Sequence, residues 1–310
     1  MQQRYEKRAL VLGCGGVAGA AWSIAALANL EQQLGWDARD ADILIGTSAG
    51  AVLAALLAAG TPVSRLLASQ RDELPDCIWD HDTATGGALP PLPGMSFSGL
   101  SLLRRGLRGE IAPLTALTGV LPRGRADMAP FMALIDSVVP SGEWAPHPNA
   151  WMVVVDQHSG ERVALGRHDA PAMPMNLAVC ASYAVPGWCP PVAWQGRTYL
   201  DGGIASPTSA DMLLAADVDE AIVLAPMASR QPDAPRAPWA RIERRVRRYM
   251  TAIVDREVKA LEQAGIRVIR LEPEAEDLRA IGFNMMDPAR RRQVFHTALR
   301  TTQRQLARQC

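Results

Sequence analysis

The architecture of this chain turns on the run Asp42-Ile43-Leu44-Ile45-Gly46-Thr47-Ser48-Ala49-Gly50. A short β-branched segment ends in Gly-x-Ser-x-Gly and opens into Ala51-Val52-Leu53-Ala54-Ala55-Leu56-Leu57, a run with helical character. Strand, sharp turn and helix, with a serine at the turn, is the form of a nucleophile elbow. The spacing follows from crowding: Gly46 and Gly50 carry no Cβ, so strand and helix can approach closely with Ser48 at the apex. The helix beginning at Ala49 then directs its free N–H groups and positive dipole end at the same point. Ser48 is the candidate nucleophile. Taken alone the pattern fits a plain Gly/Ser turn as well, so its surroundings must decide.

Composition sets the outer bounds. The chain has 310 residues, 48% hydrophobic and 21% charged, enough to bury a large core in one big α/β domain or two smaller ones. The 32 Lys and Arg balance 32 Asp and Glu, and with no zinc-like spacing or aromatic-basic array nothing points to nucleic acid. The five cysteines, Cys14, Cys77, Cys180, Cys189 and Cys310, are odd in number and unpaired in spacing, which reads as reduced thiols in a cytoplasmic protein. Two uncharged runs, residues 9–30 behind Arg4, Lys7 and Arg8, and residues 43–64, resemble a signal peptide or a membrane span. Gly13, Gly15, Gly16 and Gly19 divide the first into strand, loop and helix, and the second is built the same way around Ser48. Both are therefore expected to be buried α/β core.

Upstream of the elbow, Ala9-Leu10-Val11-Leu12 reads as a first buried strand and Gly13-Cys14-Gly15-Gly16-Val17-Ala18-Gly19 as the loop behind it. Such a loop leaves backbone N–H groups free to converge on an anion. A dinucleotide pyrophosphate calls for G-x-G-x-x-G and an acidic residue closing the next strand, roughly 20 residues on. Here Cys14 occupies the first glycine position of the only register that fits, and the second strand closes in Gly46-Thr47-Ser48. The better reading is an oxyanion hole, with the amides of Gly15, Gly16 and Val17 aimed at the oxygen that becomes negative when Ser48 attacks an ester.

A second informative stretch runs Ala181-Ser182-Tyr183-Ala184-Val185-Pro186, followed downstream by Tyr199-Leu200-Asp201-Gly202-Gly203. Asp201 reads either as an ordinary Asp-Gly turn residue or as a carboxylate set beside Ser48 as its general base. The glycine-rich loop after the first strand, Gly-x-Ser-x-Gly after the second, Ala-Ser-x-Ala-x-Pro and Asp-Gly-Gly, in that order and spacing, resemble the patatin-like phospholipase family. The resemblance covers about residues 1–70 and 150–226. It implies a three-layer α/β/α fold with a mostly parallel central sheet, Ser48 as nucleophile, Asp201 as base, Gly15, Gly16 and Val17 as oxyanion donors, and Gly46, Gly50, Gly202 and Gly203 as motif glycines. It further implies a Ser–Asp dyad with no catalytic histidine and no metal or organic cofactor. None of His81, His147, His158, His168 and His296 lies in a motif. Two positions depart from the family pattern: Ala18 stands where the loop usually carries a basic residue, and Cys14 where it usually carries glycine. Cys14 reads as a small buried filler.

Residues 71–148 change in texture, with Pro90, Pro91, Pro93, Gly86, Gly87 and Gly94 among short apolar pieces. They read equally as a lid or acyl funnel, with Met95, Phe97, Leu100, Leu103 and Leu107 toward the lipid, and as a connecting region with its own small core. Trp151-Met152-Val153-Val154-Val155 resumes the sheet, and Glu161-Arg162-Val163-Ala164-Leu165 pairs back on it. Residues 239–310 are expected as a C-terminal helical region packed on the core, with a last strand over 266–271 and a closing helix over 288–309. Its first helix, running from Arg241 toward Gln263, is expected to place Ile242, Val246 and Met250 on one stripe and Arg241, Arg244, Arg245 and Arg248 on another. The arginine stripe reads as a solvated face, with contact to anionic headgroups as the alternative.

The function expected is a lipid acyl hydrolase of phospholipase A, lysophospholipase or carboxylesterase type; a lipid transacylase and a catalytically weak lipid-binding member are the alternatives. The partner expected is a lipid ester or phospholipid, with peripheral membrane contact and no nucleic acid. A free carboxylic acid titrates near ~4 and is a poor base for a hydroxyl. Desolvation of Asp201 is therefore expected to raise its pKa.

Overall fold

β1 (Arg8–Leu12) and β2 (Ile43–Thr47) form the parallel centre of a sheet that has eight strands among the described residues. The structure, a computed structural model, describes residues 6–73, 88–89, 91–92 and 100–309. The remaining strands are β3 (Ala150–Asp156), β4 (Arg162–Leu165), β5 (Val192–Trp194), β6 (Arg197–Asp201), β7 (Glu220–Leu224) and β8 (Arg267–Leu271). The hydrogen-bonded order is β5-β6-β3-β2-β1-β7-β8, with β4 also on β3. β1, β2, β3, β7 and β8 run parallel, β4 and β6 run antiparallel to β3, and β5 antiparallel to β6.

Alternation along β1 divides the core. Leu10 and Leu12 face α1 (Gly16–Leu34), α2 (Ala49–Ala58), α7 (Met175–Ser182) and α10 (Arg291–Gln309). Ala9 and Val11 face α8 (Pro238–Gln263) and the 3₁₀ turn Ala210–Ala215. With helices on both faces the architecture is three-layer α/β/α, as a mostly parallel sheet requires. Every residue from Gly16 to Leu27 and all of α2 are buried, which accounts for the two uncharged runs: a helix enclosed on all sides is apolar all round. Among the described residues no helix is long and apolar enough to cross a membrane. α10 covers α1, where the Asn29 side-chain amide donates to Leu299 O at 2.8 Å and to Thr302 Oγ1 at 2.7 Å.

The C-terminal region contributes more than helices, because β8 extends the sheet beyond β7. Between β2 and β3 lie α3 (Val63–Gln70), α4 (Leu100–Leu107), α5 (Pro113–Thr118) and α6 (Ala129–Asp136). Met95, Phe97 and the side chain of Leu100 lie outside the described residues, as do Cys77, His81 and Cys310. Leu107 of α4 is exposed, while Leu102 is enclosed.

The stripe expected on α8 is corrected. Its first half buries Ala240, Arg244, Arg247 and Met250, while Ile242 is exposed. Two guanidinium groups are enclosed because the fold surrounds them with acceptors. Arg244 donates to Asp233 Oδ1, Leu278 O and Gly282 O. Arg247 donates to Glu243 Oε1 at 2.9 Å, Pro226 O at 2.6 Å and Ala228 O at 3.3 Å. Buried charge is tolerated when it is paired and hydrogen-bonded in this way. α9 (Ala275–Ile281) carries a capping box between Glu274 and Asp277.

Candidate active site

Ser48 stands between β2 and α2 at φ 57° and ψ −122°, a backbone conformation that ordinary side chains avoid and that costs on the order of 1–3 kcal/mol. The surroundings enforce it. Ala51 N–H donates to Ser48 O at 2.9 Å. The Ser48 amide donates to Ser182 Oγ at 2.9 Å, and Ser182 Oγ–H donates to Val153 O at 2.6 Å. Gly50 allows the close approach that the turn demands, since a Cβ there would come within 2.0 Å of Leu12 O. Gly46, in β2, meets Ala51 in the same crowded corner.

Strand pairing brings Asp201 to this point. Val153 pairs with both Thr47 and Ala164, and Val154 with both Val163 and Asp201. β4 therefore fills one edge of β3, while β2 and β6 share the other. Because β6 runs against β3 and β2 runs with it, the C-terminal ends of β2 and β6 meet head to head at Val153 and Val154. Thr47 and Asp201 close those two ends, so the elbow and the carboxylate become neighbours although 152 residues separate Ser48 from Asp201. Ala184 O accepts the Asp201 amide at 3.1 Å.

The Asp201 carboxyl lies near enough to the Ser48 hydroxyl to feel its lowering influence, and its Oδ1 accepts Gly203 N–H at 2.7 Å. Gly202 and Gly203 begin the 3₁₀ turn Gly202–Ile204. Burial pushes the Asp201 carboxyl up to about 7, against the lowering effects of the Ser48 hydroxyl and the Gly203 amide. Desolvation wins because the group is enclosed on every side.

The glycine-rich loop lies against both. Gly13 N–H donates to Leu224 O at 2.9 Å, and Cys14 N–H to Pro207 O at 2.8 Å. In the first turn of α1 the amides divide: Ala18 donates to Met285 O at 3.0 Å and Gly19 to Gly15 O at 2.8 Å. Among the described residues the amides of Gly15, Gly16 and Val17 have no acceptor. Three adjacent free donors at a helix N-terminus are suited to an anion. Gly16 adopts φ +57°, and a Cβ there would meet Met286 Sδ at 2.7 Å and Met285 O at 2.8 Å. Cys14 Sγ packs against Gly203 beside Asp201. Burial, with the nearby Asp201 charge, drives this thiol far above its ordinary range, which makes it inert as a nucleophile and part of what desolvates Asp201.

Three contributors escape a reading of the sequence alone. Ser182 lies within a quoted motif, yet its bond to the Ser48 amide is visible only in the fold. Glu257 reads in sequence as one more acid along α8; in the structure it is buried and accepts from Ser206, Thr208 and the Ala210 amide. It thereby fixes the segment whose Pro207 carbonyl holds Cys14. Burial and the neighbouring Asp211 raise Glu257 to about 7. Arg247 supports the loop from beneath: its partner Pro226 packs on Gly15 and Gly19, and its partner Met285 takes the Ala18 amide. A long amphipathic helix carries no sequence signal that singles out these two residues.

A sharp strand-to-helix turn carrying a serine on a three-layer α/β/α sheet, with a carboxylate closing a strand on the same edge, places the chain in a class of α/β proteins. The profile of the patatin-like phospholipase family matches residues 10–214, and the chain belongs to that family, whose members are lipid acyl hydrolases. β7 and β8 lie beyond the matched residues and still complete the sheet. Among solved structures the chain is similar to the crystal structure of VipD from Legionella pneumophila, at 13% identity and a TM-score of 0.45, covering 98% of this chain and 67% of that one. No curated protein matches the sequence.

Proposed function

We propose that the chain hydrolyses carboxylic esters of lipids through an acyl-Ser48 intermediate. The observation that carries this reading is the convergence of Ser48 and the buried Asp201 where the C-terminal ends of β2 and β6 meet on β3, with the carboxyl pushed up to about 7. A base titrating near the working pH is both ionised and able to accept a proton in the transition state. Asp201 takes the hydroxyl proton as Ser48 Oγ bonds to the ester carbonyl carbon. The carbonyl oxygen becomes an oxyanion, held by the amides of Gly15, Gly16 and Val17; such donors contribute ~3–4 kcal/mol each in comparable sites. As the tetrahedral adduct collapses, the C–O bond to the alcohol breaks and Asp201 returns the proton to the leaving oxygen. Water then attacks the acyl carbon and gives a proton to Asp201; as the second adduct collapses the bond to Ser48 Oγ breaks, Asp201 returns that proton to Ser48 Oγ, and the fatty acid is released. This chemistry calls for no metal or organic cofactor. The chain is read as one catalytic unit, since β8 and α10 complete the layers that hold the elbow.

The test is labelling with a fluorophosphonate serine probe and turnover of p-nitrophenyl esters of graded chain length. Wild type should label and turn over, and Ser48→Ala should do neither. Asp201→Asn should lose turnover by on the order of 10²–10⁴. Wild type that neither labels nor hydrolyses any ester would overturn the reading.

A further inference from the structure

The outer face of α8 and the segment around residue 283 form a surface beside the glycine-rich loop. Trp239, Ile242 and Phe283 are 69%, 50% and 55% exposed. The two elements are tied together, because Arg244 on α8 donates to Gly282 O at 3.1 Å and Leu278 O at 2.8 Å. On the far side of Phe283, Asn284 donates to Ala88 O at 2.6 Å, which sets exposed Leu89 at the same end. The segment then continues into Met285 and Met286, the residues that touch Ala18 and Gly16. Phe283 therefore sits two and three residues from the methionines that touch the loop proposed to receive the substrate carbonyl.

Charge marks the same face. Arg241, Arg245 and Arg248 are exposed on α8, and among the described residues none of the three has a carboxylate partner. The single acid between Pro238 and Val254, Glu243, is occupied by Arg244 and Arg247. A chain with zero formal net charge thus carries an uncompensated cationic stripe alongside exposed Trp, Ile and Phe. Solvation accounts for arginines standing alone. It does not account for a tryptophan and a phenylalanine held in water next to them, a combination that suits a surface with an apolar interior and anionic headgroups.

We propose that this face, formed by Trp239, Ile242 and Phe283 with Arg241, Arg245 and Arg248, docks the protein on an anionic phospholipid bilayer. The proposal rests on the lipid-ester reading and specifies where that substrate is met. The aromatic and aliphatic side chains enter the boundary between headgroups and acyl chains while the arginines contact phosphates. Docking there places the glycine-rich loop at the lipid surface.

The test is co-sedimentation with vesicles of phosphatidylcholine alone and of phosphatidylcholine with about a third phosphatidylglycerol. Each arginine near an anionic surface contributes about fivefold, so Arg241→Gln/Arg245→Gln/Arg248→Gln should weaken binding to the anionic vesicles about a hundredfold. Wild type should bind those vesicles at least about tenfold more tightly than the neutral ones and release them as salt rises. Trp239→Ser/Phe283→Ser should weaken binding by about tenfold or more at unchanged melting temperature. Equal binding of wild type and the arginine variant, or no salt dependence, would overturn the proposal. So would a fall in oligomeric mass in Trp239→Ser/Phe283→Ser, which would show the face covered by a second copy. Hydrolysis of a soluble short-chain ester by wild type separates the two readings. Vesicle binding without ester turnover sinks the hydrolase and leaves the surface, whereas turnover without anionic preference sinks the surface alone.

Discussion

The hydroxyl of Ser182 accepts the amide hydrogen of Ser48 at 2.9 Å. It donates its own proton to Val153 O at 2.6 Å, the strand position at which β2 stops and beside which β6 also ends. One buried oxygen therefore ties the strained apex of the elbow to the shared edge that delivers Asp201. Ser182→Ala removes both bonds and leaves the Ser48 amide and the Val153 carbonyl unsatisfied, at about 1–3 kcal/mol. The expected outcome is a lower melting temperature and a kcat reduced about tenfold or more at nearly constant KM, since the elbow loses its set while the acyl-binding surface is untouched. Steady-state kinetics with a soluble ester check it, and an unchanged kcat would show that the turn holds Ser48 without Ser182.

In the proposed mechanism Asp201 must be ionised to accept the Ser48 proton, and burial lifts its pKa to about 7. The catalytically competent fraction is then close to complete above that pH and falls about tenfold per unit below it. We expect kcat/KM to climb through about pH 7 and level off on the alkaline side. A profile flat down to pH 4 would mean that Asp201 is not the base.

The same shift makes a stability prediction of definite sign. The folded pKa lies above the ordinary carboxylate value, so between ~4 and ~7 the folded protein holds a proton that the unfolded chain has released. Wild-type stability from this group is full below that window and is lost as pH rises through it. Asp201→Asn has no charge to bury and escapes the loss. The variant should be more stable than wild type at pH 8 by about 2–4 kcal/mol, with the difference vanishing near pH 4. Glu257 and Asp277 also carry raised pKa values, about 7 and about 6, and cancel in the comparison. Denaturant titration at the two pH values is the check; a variant less stable at both would show that Asp201 contributes more through its hydrogen bonds than it loses by burial.

The order of the layers was legible because glycine spacing and unbroken apolar runs have few interpretations: residues 9–12 and 43–47 had to be enclosed strands, and the glycines between them and their helices had to be turns. Ser48 and Asp201 were legible as motif residues. How they meet was not, because head-to-head convergence on one edge of β3 depends on the pairing of β6, and pairing between distant strands leaves no mark in either segment. α8 misled for a different reason. Helical periodicity assigns arginines to the outside, and the burial of Arg244 and Arg247 is decided by carbonyls of residues 226, 228, 278 and 282, far from the helix in sequence.

Arg247 offers the last test, because it is enclosed at 1% exposure beneath the loop that carries the free amides. Its guanidinium holds Pro226 O and Ala228 O and touches Met285 Sδ at 3.5 Å. Pro226 in turn packs on Gly15 and Gly19, and Met285 O takes the Ala18 amide. Arg247→Met keeps the volume and removes every donor. Glu243 retains Arg244 as a partner, so the variant orphans two carbonyls rather than a charge, and the expected loss is about 2–4 kcal/mol. Since the Gly15–Gly19 turn is positioned through Pro226 and Met285, the variant should also label more slowly with the fluorophosphonate and show a lower kcat with little change in KM. Hydrogen exchange at the Ala18 amide separates this from a general loosening. Exchange accelerated at Ala18 and unchanged in β1 supports a positioning role for Arg247, whereas uniform acceleration across the sheet would reduce it to an ordinary core contact.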